Sequence, residues 1–221
     1  MIKAIIFDAY GTLIDTGTGS VDAAREILKK RRREDISASD FYADWKKYHR
    51  EHIDSLTEFI HEEEIFRMDL RRLYKTYGID GDSDSDVRIM LETLGKRKAF
   101  PEVGRVLARL SEKYPLYIGS TSDTYPLMQD IKNNKISVNG VYTSESLRVY
   151  KPKPEFYRVI ALDIGVNCEN ILFVGDSPVD DVFGPMQVGM KACFVDRKER
   201  GIGETTSDYS IKTLDGLLEI L

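Results

Sequence analysis

Cysteine and proline are scarce in this 221-residue chain, and long apolar runs are missing. The two cysteines, Cys168 and Cys193, lie far apart and fit no metal-ligand spacing. Neither a disulfide framework nor a zinc module is expected, and both read as small packing residues. No apolar stretch approaches the roughly 20 residues that a membrane helix needs, so no membrane partner is expected. The N-terminal Met1-Ile2-Lys3-Ala4-Ile5-Ile6-Phe7 lacks the charged, apolar and small-residue regions of a signal peptide, which makes the cytoplasm the expected location. An excess of positive charge is lacking too. The net charge is −5, so bulk electrostatics does not point to nucleic acid. None of the seven prolines falls between residues 20 and 98, a stretch therefore free of the residue that most strongly breaks helices. Nothing in the sequence speaks to oligomeric state.

What is present is an ordinary globular balance, 42% hydrophobic and 31% charged, in a chain long enough for one large domain or a core with a smaller insertion. Lys3 to Phe7 form a short apolar run that ends in Asp8, as a strand buried on both faces of a parallel sheet would. Glycines 11, 17 and 19 then turn the chain. Between residues 16 and 98 the spacing predicts about four amphipathic helices. Val21, Ala24, Ile27 and Leu28 mark the first, and Phe41, Trp45, Tyr48 and His52 the second. Ile65, Met68, Leu70, Leu73 and Tyr77 mark the third, and Val87, Met90, Leu91 and Leu94 the last. Asp82 to Ser85 offer an N-cap, and Gly78 and Gly95 suit helix ends.

From Pro101 strands and helices alternate. Strands are expected at 116–119, 140–143, 171–174 and 191–195, with helices at 103–110, 126–133, 154–164 and 179–188 between them. The expected fold is α/β, a Rossmann-like parallel-sheet core of residues 1–15 and 99–221 with a four-helix insertion at 16–98. In such sheets ligands bind beyond the carboxyl ends of the strands, so the residues just after each strand carry the functional information.

Those residues are Asp8 after the first strand, Ser120 and Thr121 after the second, and Gly175-Asp176-Ser177-Pro178-Val179-Asp180-Asp181 after the third, with Lys151 in a loop before a helix. A carboxylate at a strand end can attack an electrophilic centre. Asp8, Asp176 and Asp181 would repel one another without a cation, and hard oxygen ligands favour Mg²⁺. The Ser120 hydroxyl and the Lys151 ammonium can stabilise negative charge on a transferring group. Taken singly, each has a plainer reading: an aspartate after a strand is often a turn residue or a cap, and a loop lysine a solvated charge. The joint pattern is what carries the chemistry.

Four segments in order, Phe7-Asp8-Ala9-Tyr10-Gly11-Thr12-Leu13, Ser120-Thr121, Lys151-Pro152-Lys153-Pro154 and Gly175 to Asp181, resemble the sequence motifs of the haloacid dehalogenase-like superfamily. The resemblance covers the core, and the insertion resembles that family's helical cap in position and size. It implies that Asp8 is the nucleophile and a metal ligand, and that Tyr10 lends its backbone carbonyl to the metal. It implies that Ser120 and Thr121 bind the transferring group, with Thr12 beside them, and that Lys151 neutralises it. Asp176 would ligate Mg²⁺ directly and Asp181 would support it, with Asp180 as the nearest competitor.

One departure divides the family's activities. Its phosphatases usually carry a second aspartate two places after the nucleophile, as acid and base; here Tyr10 stands there, as in the dehalogenases. A phenol with a pKa of about 10 is a poor proton shuttle near neutrality. Against dehalogenation stand Asp176, which those metal-independent enzymes lack, and the stretch Ser37-Ala38-Ser39-Asp40, where they hold a substrate-binding arginine. Arg31, Arg32 and Arg33 precede it but read as a solvated helix face. The expectation is a Mg²⁺-dependent phosphatase acting on a small phosphorylated metabolite. The alternatives are a metal-free 2-haloacid dehalogenase using the same Asp8, and a non-catalytic metal-binding protein. In the insertion, Trp45, Tyr48, His49 and His52 are candidate substrate contacts, with ordinary helix packing as the plainer reading.

Overall fold

A computed structural model of the chain describes residues 1–197 and 206–221. Two compact units emerge, Met1–Asp15 with Lys98–Leu221, and Thr16–Arg97.

The first unit is built on strand β1 (Ala4–Phe7), the continuous apolar run before Asp8. A six-stranded sheet forms around it from β4 (Leu116–Ser120), β5 (Gly140–Thr143), β6 (Ile171–Gly175), β7 (Lys191–Val195) and β8 (Tyr209–Ile211). Every pairing is parallel, in the order β5-β4-β1-β6-β7-β8. Side chains of β1 alternate between two buried faces. Ile5 and Phe7 join Leu116, Ile118, Leu172 and Val174 in one cluster, while Ala4 and Ile6 join Ile171 and Phe173 in the other. Helices α5 (Val103–Leu110), α6 (Thr124–Asn133) and α10 (Leu217–Ile220) feed the first cluster, and α8 (Pro154–Asp163) the second. Helices on both faces explain why the strands read as unbroken apolar runs.

β1 is central, with β4 on one side and β6 on the other, so the strand order reverses there. That reversal is where α/β sheets hold ligands. The register sets Phe7 opposite Ile118 and Val174, so Asp8 follows β1 beside Gly119 of β4 and Gly175 of β6. The Asp8 amide donates to the Val174 carbonyl at 2.8 Å.

The helical unit contains α1 (Gly19–Lys30), α2 (Ala38–Ser55), α3 (Glu62–Tyr77) and α4 (Ser83–Leu91). Local chemistry starts and stops them. Ser37 caps α2 by accepting the Asp40 amide, and Asp82 caps α4 by accepting from Asp84 and Ser85. Gly78, at φ 59°, ends α3 in the left-handed conformation that a residue without Cβ adopts at little cost. The predicted apolar stripes meet in one core that includes Ala24, Ile27, Leu28, Phe41, Trp45, Leu70, Leu73, Val87 and Met90.

The α/β fold with its parallel sheet and helical insertion matches the expectation, and several elements correct it. α6 begins at Thr124, before Pro126. The helix expected at 179–188 is a π-helical segment, Pro178–Phe183, followed by the short α9 (Gly184–Met186). Strands β2 (Ile14–Asp15) and β3 (Lys98–Ala99) pair antiparallel where the chain leaves and re-enters the sheet unit, and a four-residue α7 (Ser144–Leu147) follows β5. Of the three arginines only Arg32 is exposed as expected: Arg31 pairs with Asp86, and Arg33 pairs with Asp35 and donates to the Tyr77 carbonyl. Trp45 is core, Tyr48 bonds Thr76, and His49 and His52 both bond the buried Asp69. These four candidates are accounted for by helix packing.

Candidate active site

The end of β1, the loop before α8 and the segment after β6 bring one ammonium and three carboxylates together. Lys151 Nζ donates to Asp8 Oδ1 at 2.8 Å and to Asp181 Oδ1 at 2.7 Å. Lys151 and Asp181 are each 1% exposed and Asp8 7%, so the contacts form largely out of water. Oxygens of Asp8, Asp176 and Asp181 all lie within 4.8 Å of one another. Asp181 therefore belongs to the acidic group, whereas Asp180 is engaged through its backbone carbonyl, which accepts the Tyr157 hydroxyl.

The segment after β6 is built to aim Asp181. Ser177 caps the π-helical segment by accepting the Asp180 amide at 3.1 Å, and the Asp181 amide donates back to the Ser177 carbonyl at 2.9 Å. Asp181 Oδ2 in turn accepts from the Ser177 amide at 2.9 Å. Two glycines make room. A Cβ on Gly175 would overlap the Asp181 side chain. At Gly11, where φ is +95°, a Cβ would stand 2.6 Å from Asp176 Oδ1.

Electrostatics ties Lys151, Asp8 and Asp181 closely together. Burial works against the Lys151 ammonium, yet Asp181 and Asp8 outweigh it and hold its pKa above the ordinary lysine value. Burial raises the Asp181 carboxyl well above the usual carboxylate range, Lys151 opposes that, and repulsion from Asp8 adds to it. Three carboxylates crowd together here, and Lys151 bonds two of them. A hard divalent cation fits such an oxygen set and would relieve the repulsion.

The hydroxyls sort into two kinds. Ser120, at the end of β4, accepts from Ser122 at 3.1 Å, and both are buried. The hydroxyls of Thr12 and Thr121 are buried without a hydrogen-bond partner among the described residues. A buried hydroxyl costs free energy when unpaired, so a ligand oxygen at these two threonines would recover what folding leaves unsatisfied. Tyr10 behaves otherwise, since its hydroxyl donates to Asp130 at 3.0 Å.

Three contributors escaped the sequence reading. Ser122 pairs with Ser120, and only its neighbourhood hinted at that. Asp130 had no signal, being one polar residue on a predicted helix. Arg197 had none either. It donates to the Thr12 carbonyl at 2.7 Å, pairs with Glu102 at 2.7 Å and stacks on the Phe100 ring at 3.6 Å, tying the turn after Asp8 to the end of β7.

The haloacid dehalogenase-like hydrolase family model matches residues 2–185. The chain belongs to the haloacid dehalogenase-like hydrolases. Among curated members of that family, haloacetate dehalogenase H-2 of Moraxella sp. is 28% identical, over 100% of this chain and 98% of its own. A glyceraldehyde 3-phosphate phosphatase of Pyrococcus abyssi is 26% identical over 86% of this chain and 80% of its own. The solved structure of L-2-haloacid dehalogenase from Xanthobacter autotrophicus shares the fold, with a TM-score of 0.82 at 21% identity, over 100% of this chain and 98% of that one.

Proposed function

We propose that this hydrolase is a Mg²⁺-dependent phosphatase that cleaves a small phosphorylated metabolite through an aspartyl-phosphate on Asp8. The carrying observation is the convergence of Asp176 and Asp181 on Asp8 within 4.8 Å, with Lys151 bonding Asp8 and Asp181. A nucleophilic carboxylate needs no extra acids beside it for its own sake; a cation does. The reading places Mg²⁺ on Asp8, Asp176 and the Tyr10 carbonyl, with Asp181 in support. There the ion would neutralise the acids and draw charge from a phosphoryl oxygen.

In this reading Lys151 fixes one oxygen of Asp8 and balances the charge of the transferring group. Asp8 forms a bond to phosphorus while the bond from phosphorus to the leaving oxygen breaks, with the electron pair departing on that oxygen. Ser120, Thr12 and Thr121 donate hydrogen bonds to the remaining phosphoryl oxygens. Water then attacks phosphorus, the Asp8–phosphorus bond breaks, and phosphate leaves.

A second reading is 2-haloacid dehalogenation, in which Asp8 displaces halide from carbon and water hydrolyses the resulting ester. The likenesses to haloacid dehalogenases weigh on this side, the likeness to a phosphatase does not, and Tyr10 adds to the dehalogenase side. Against it, Arg31 and Arg33 are engaged within the helical unit by Asp86 and Asp35.

The purified protein, given p-nitrophenyl phosphate and 2-chloropropionate with Mg²⁺ and with EDTA, decides between them. Phosphate release that EDTA stops is the expected result. Chloride release that persists in EDTA, with no phosphate release, refutes the phosphatase. Asp8→Asn is expected to lower either activity at least about 1,000-fold.

A further inference from the structure

Tyr10 and Asp130 are 120 residues apart in sequence, yet the Tyr10 hydroxyl donates to Asp130 Oδ2 at 3.0 Å. Asp130 is wholly buried on α6, close in sequence to the buried Leu127 and Ile131. A carboxylate in such a place costs free energy unless hydrogen bonds compensate. The phenol supplies one of them, so the contact is one that folding has reason to keep.

The helix carrying Asp130 is itself anchored to the loop that carries Tyr10. The Asp130 carbonyl accepts from Asn134 Nδ2 at 2.8 Å, and Asn134 Oδ1 accepts the Ala99 amide at 2.8 Å. Ala99 on β3 pairs with Ile14 on β2, and Ile14 bridges Tyr10. A closed circuit of contacts therefore runs from Tyr10 through Asp130, Asn134, Ala99 and Ile14 back to Tyr10. The circuit ties the backbone of Tyr10 to the helix that carries Asp130, within reach of the bond between their side chains.

A phenol has one hydrogen to donate, and here it is given to Asp130. The position two residues beyond the nucleophile thus presents a side chain whose hydrogen is directed into the core. We infer that Asp130 is a positioning residue which, by holding the Tyr10 hydroxyl, makes this hydrolase selective for leaving groups that depart as stable anions without accepting a proton. Acyl and aryl phosphates form that class. The inference rests on the proposed phosphoryl chemistry for its substrates and on Asp8 as the nucleophile. In the selected step Asp8 bonds to phosphorus, the bond to the leaving oxygen breaks, and that oxygen keeps the electron pair and takes no proton from Tyr10. An alkyl ester would release a strongly basic alkoxide, which needs a donor in the same step.

The test is a leaving-group series on the full chain with Mg²⁺: p-nitrophenyl phosphate, phenyl phosphate and methyl phosphate, with 2-chloropropionate as a separate arm. The unmodified protein is expected to turn over p-nitrophenyl phosphate at least about 100-fold faster than methyl phosphate, the factor that a missing general acid is worth. Asp130→Leu releases the Tyr10 hydroxyl and is expected to compress that ratio. Asp130→Asn keeps an acceptor oxygen and is expected to restore it, which a purely structural role for Asp130 would not require. Should Asp130→Leu fail to fold, Tyr10→Asp introduces a donor directly and is expected to compress the ratio as well. Comparable turnover of p-nitrophenyl and methyl phosphate by the unmodified protein overturns the inference and leaves the phosphatase standing. Chloride release without phosphate release removes the phosphatase and, with it, the inference, which concerns phosphate leaving groups. Folded protein that turns over none of these compounds overturns both.

Discussion

Each unit of this protein buries an aspartate against basic side chains, and the two sites balance differently. In the helical unit Asp86 is wholly buried and meets Arg31, Lys30 and the Tyr74 hydroxyl. One negative charge faces two positive ones and a phenol, so the site is complete by itself. It ties α1 to α3 and α4. In the sheet unit Lys151 bonds Asp8 and Asp181, and Asp176 lies within 4.8 Å of both. The first arrangement holds helices together. The second gathers three carboxylates in one place, the kind of oxygen set that suits a hard divalent cation.

The comparison breaks most readily at Lys151. Lys151→Met leaves Asp8 and Asp181 without their partner and is expected to abolish turnover and to cost about 4 kcal/mol in denaturant unfolding. A stability loss under about 1 kcal/mol would mean that the ammonium does not hold the two carboxylates together. On the other side, Asp86→Asn is expected to cost about 3 kcal/mol in the same measurement while kcat stays within about twofold, since its partners Lys30, Arg31 and Tyr74 all belong to the helical unit. A large fall in kcat would erase the distinction between the two sites.

Mg²⁺ sharpens the comparison from the other direction. At about 100 times its dissociation constant, an ion bound only by the folded state adds about 2.7 kcal/mol. The melting temperature is expected to rise with Mg²⁺, and Asp176→Asn is expected to remove most of that rise. An unchanged melting curve for the unmodified protein would count against the metal site.

The smallest effect concerns the second charged group of the helical unit. His49 and His52 both bond Asp69, and His49 also faces Glu62. Burial disfavours the His49 imidazolium, but its contacts with Asp69 and Glu62 outweigh burial and push its pKa up to about 9. Because the folded value lies above the unfolded one, the stabilisation is fully present below about pH 6.5 and is lost as pH rises through about 9. Unfolding measured from pH 6 to 10 is expected to show a decline on the order of 2 kcal/mol. His49→Gln should flatten it, and an equal decline in that variant would assign the slope elsewhere.

Much of the fold was legible because its signals are local. The apolar runs at β1, β4, β6 and β7 stand out within a few residues each, and so does the cap at Asp82, whereas the cap at Ser37 was not picked out. β2 and β3 were not legible, since two residues carry no periodicity and their pairing joins positions far apart in sequence. The π-helical segment at Pro178–Phe183 read as ordinary helix because it has a similar side-chain pattern. Within the candidate site, Asp8, Lys151, Asp176 and Asp181 were found because each follows a strand or precedes a helix at one edge of the sheet. Ser122, Asp130 and Arg197 were not. Their partners are set by side-chain direction, which sequence spacing does not encode.

The sequence by itself determined the parallel-sheet architecture, the helical insertion and the identity of the acidic residues at the sheet edge. Hydrophobic period and residue type are written directly in the order of residues. Only the tertiary structure decided that Arg31 and Arg33 serve the helical unit, that Arg197 grips Thr12, and that Tyr10 gives its hydroxyl to Asp130. The physical reason is the same in each case. A hydrogen bond forms over about 3 Å with a definite direction, and the partners it selects are fixed by how the packed elements face one another.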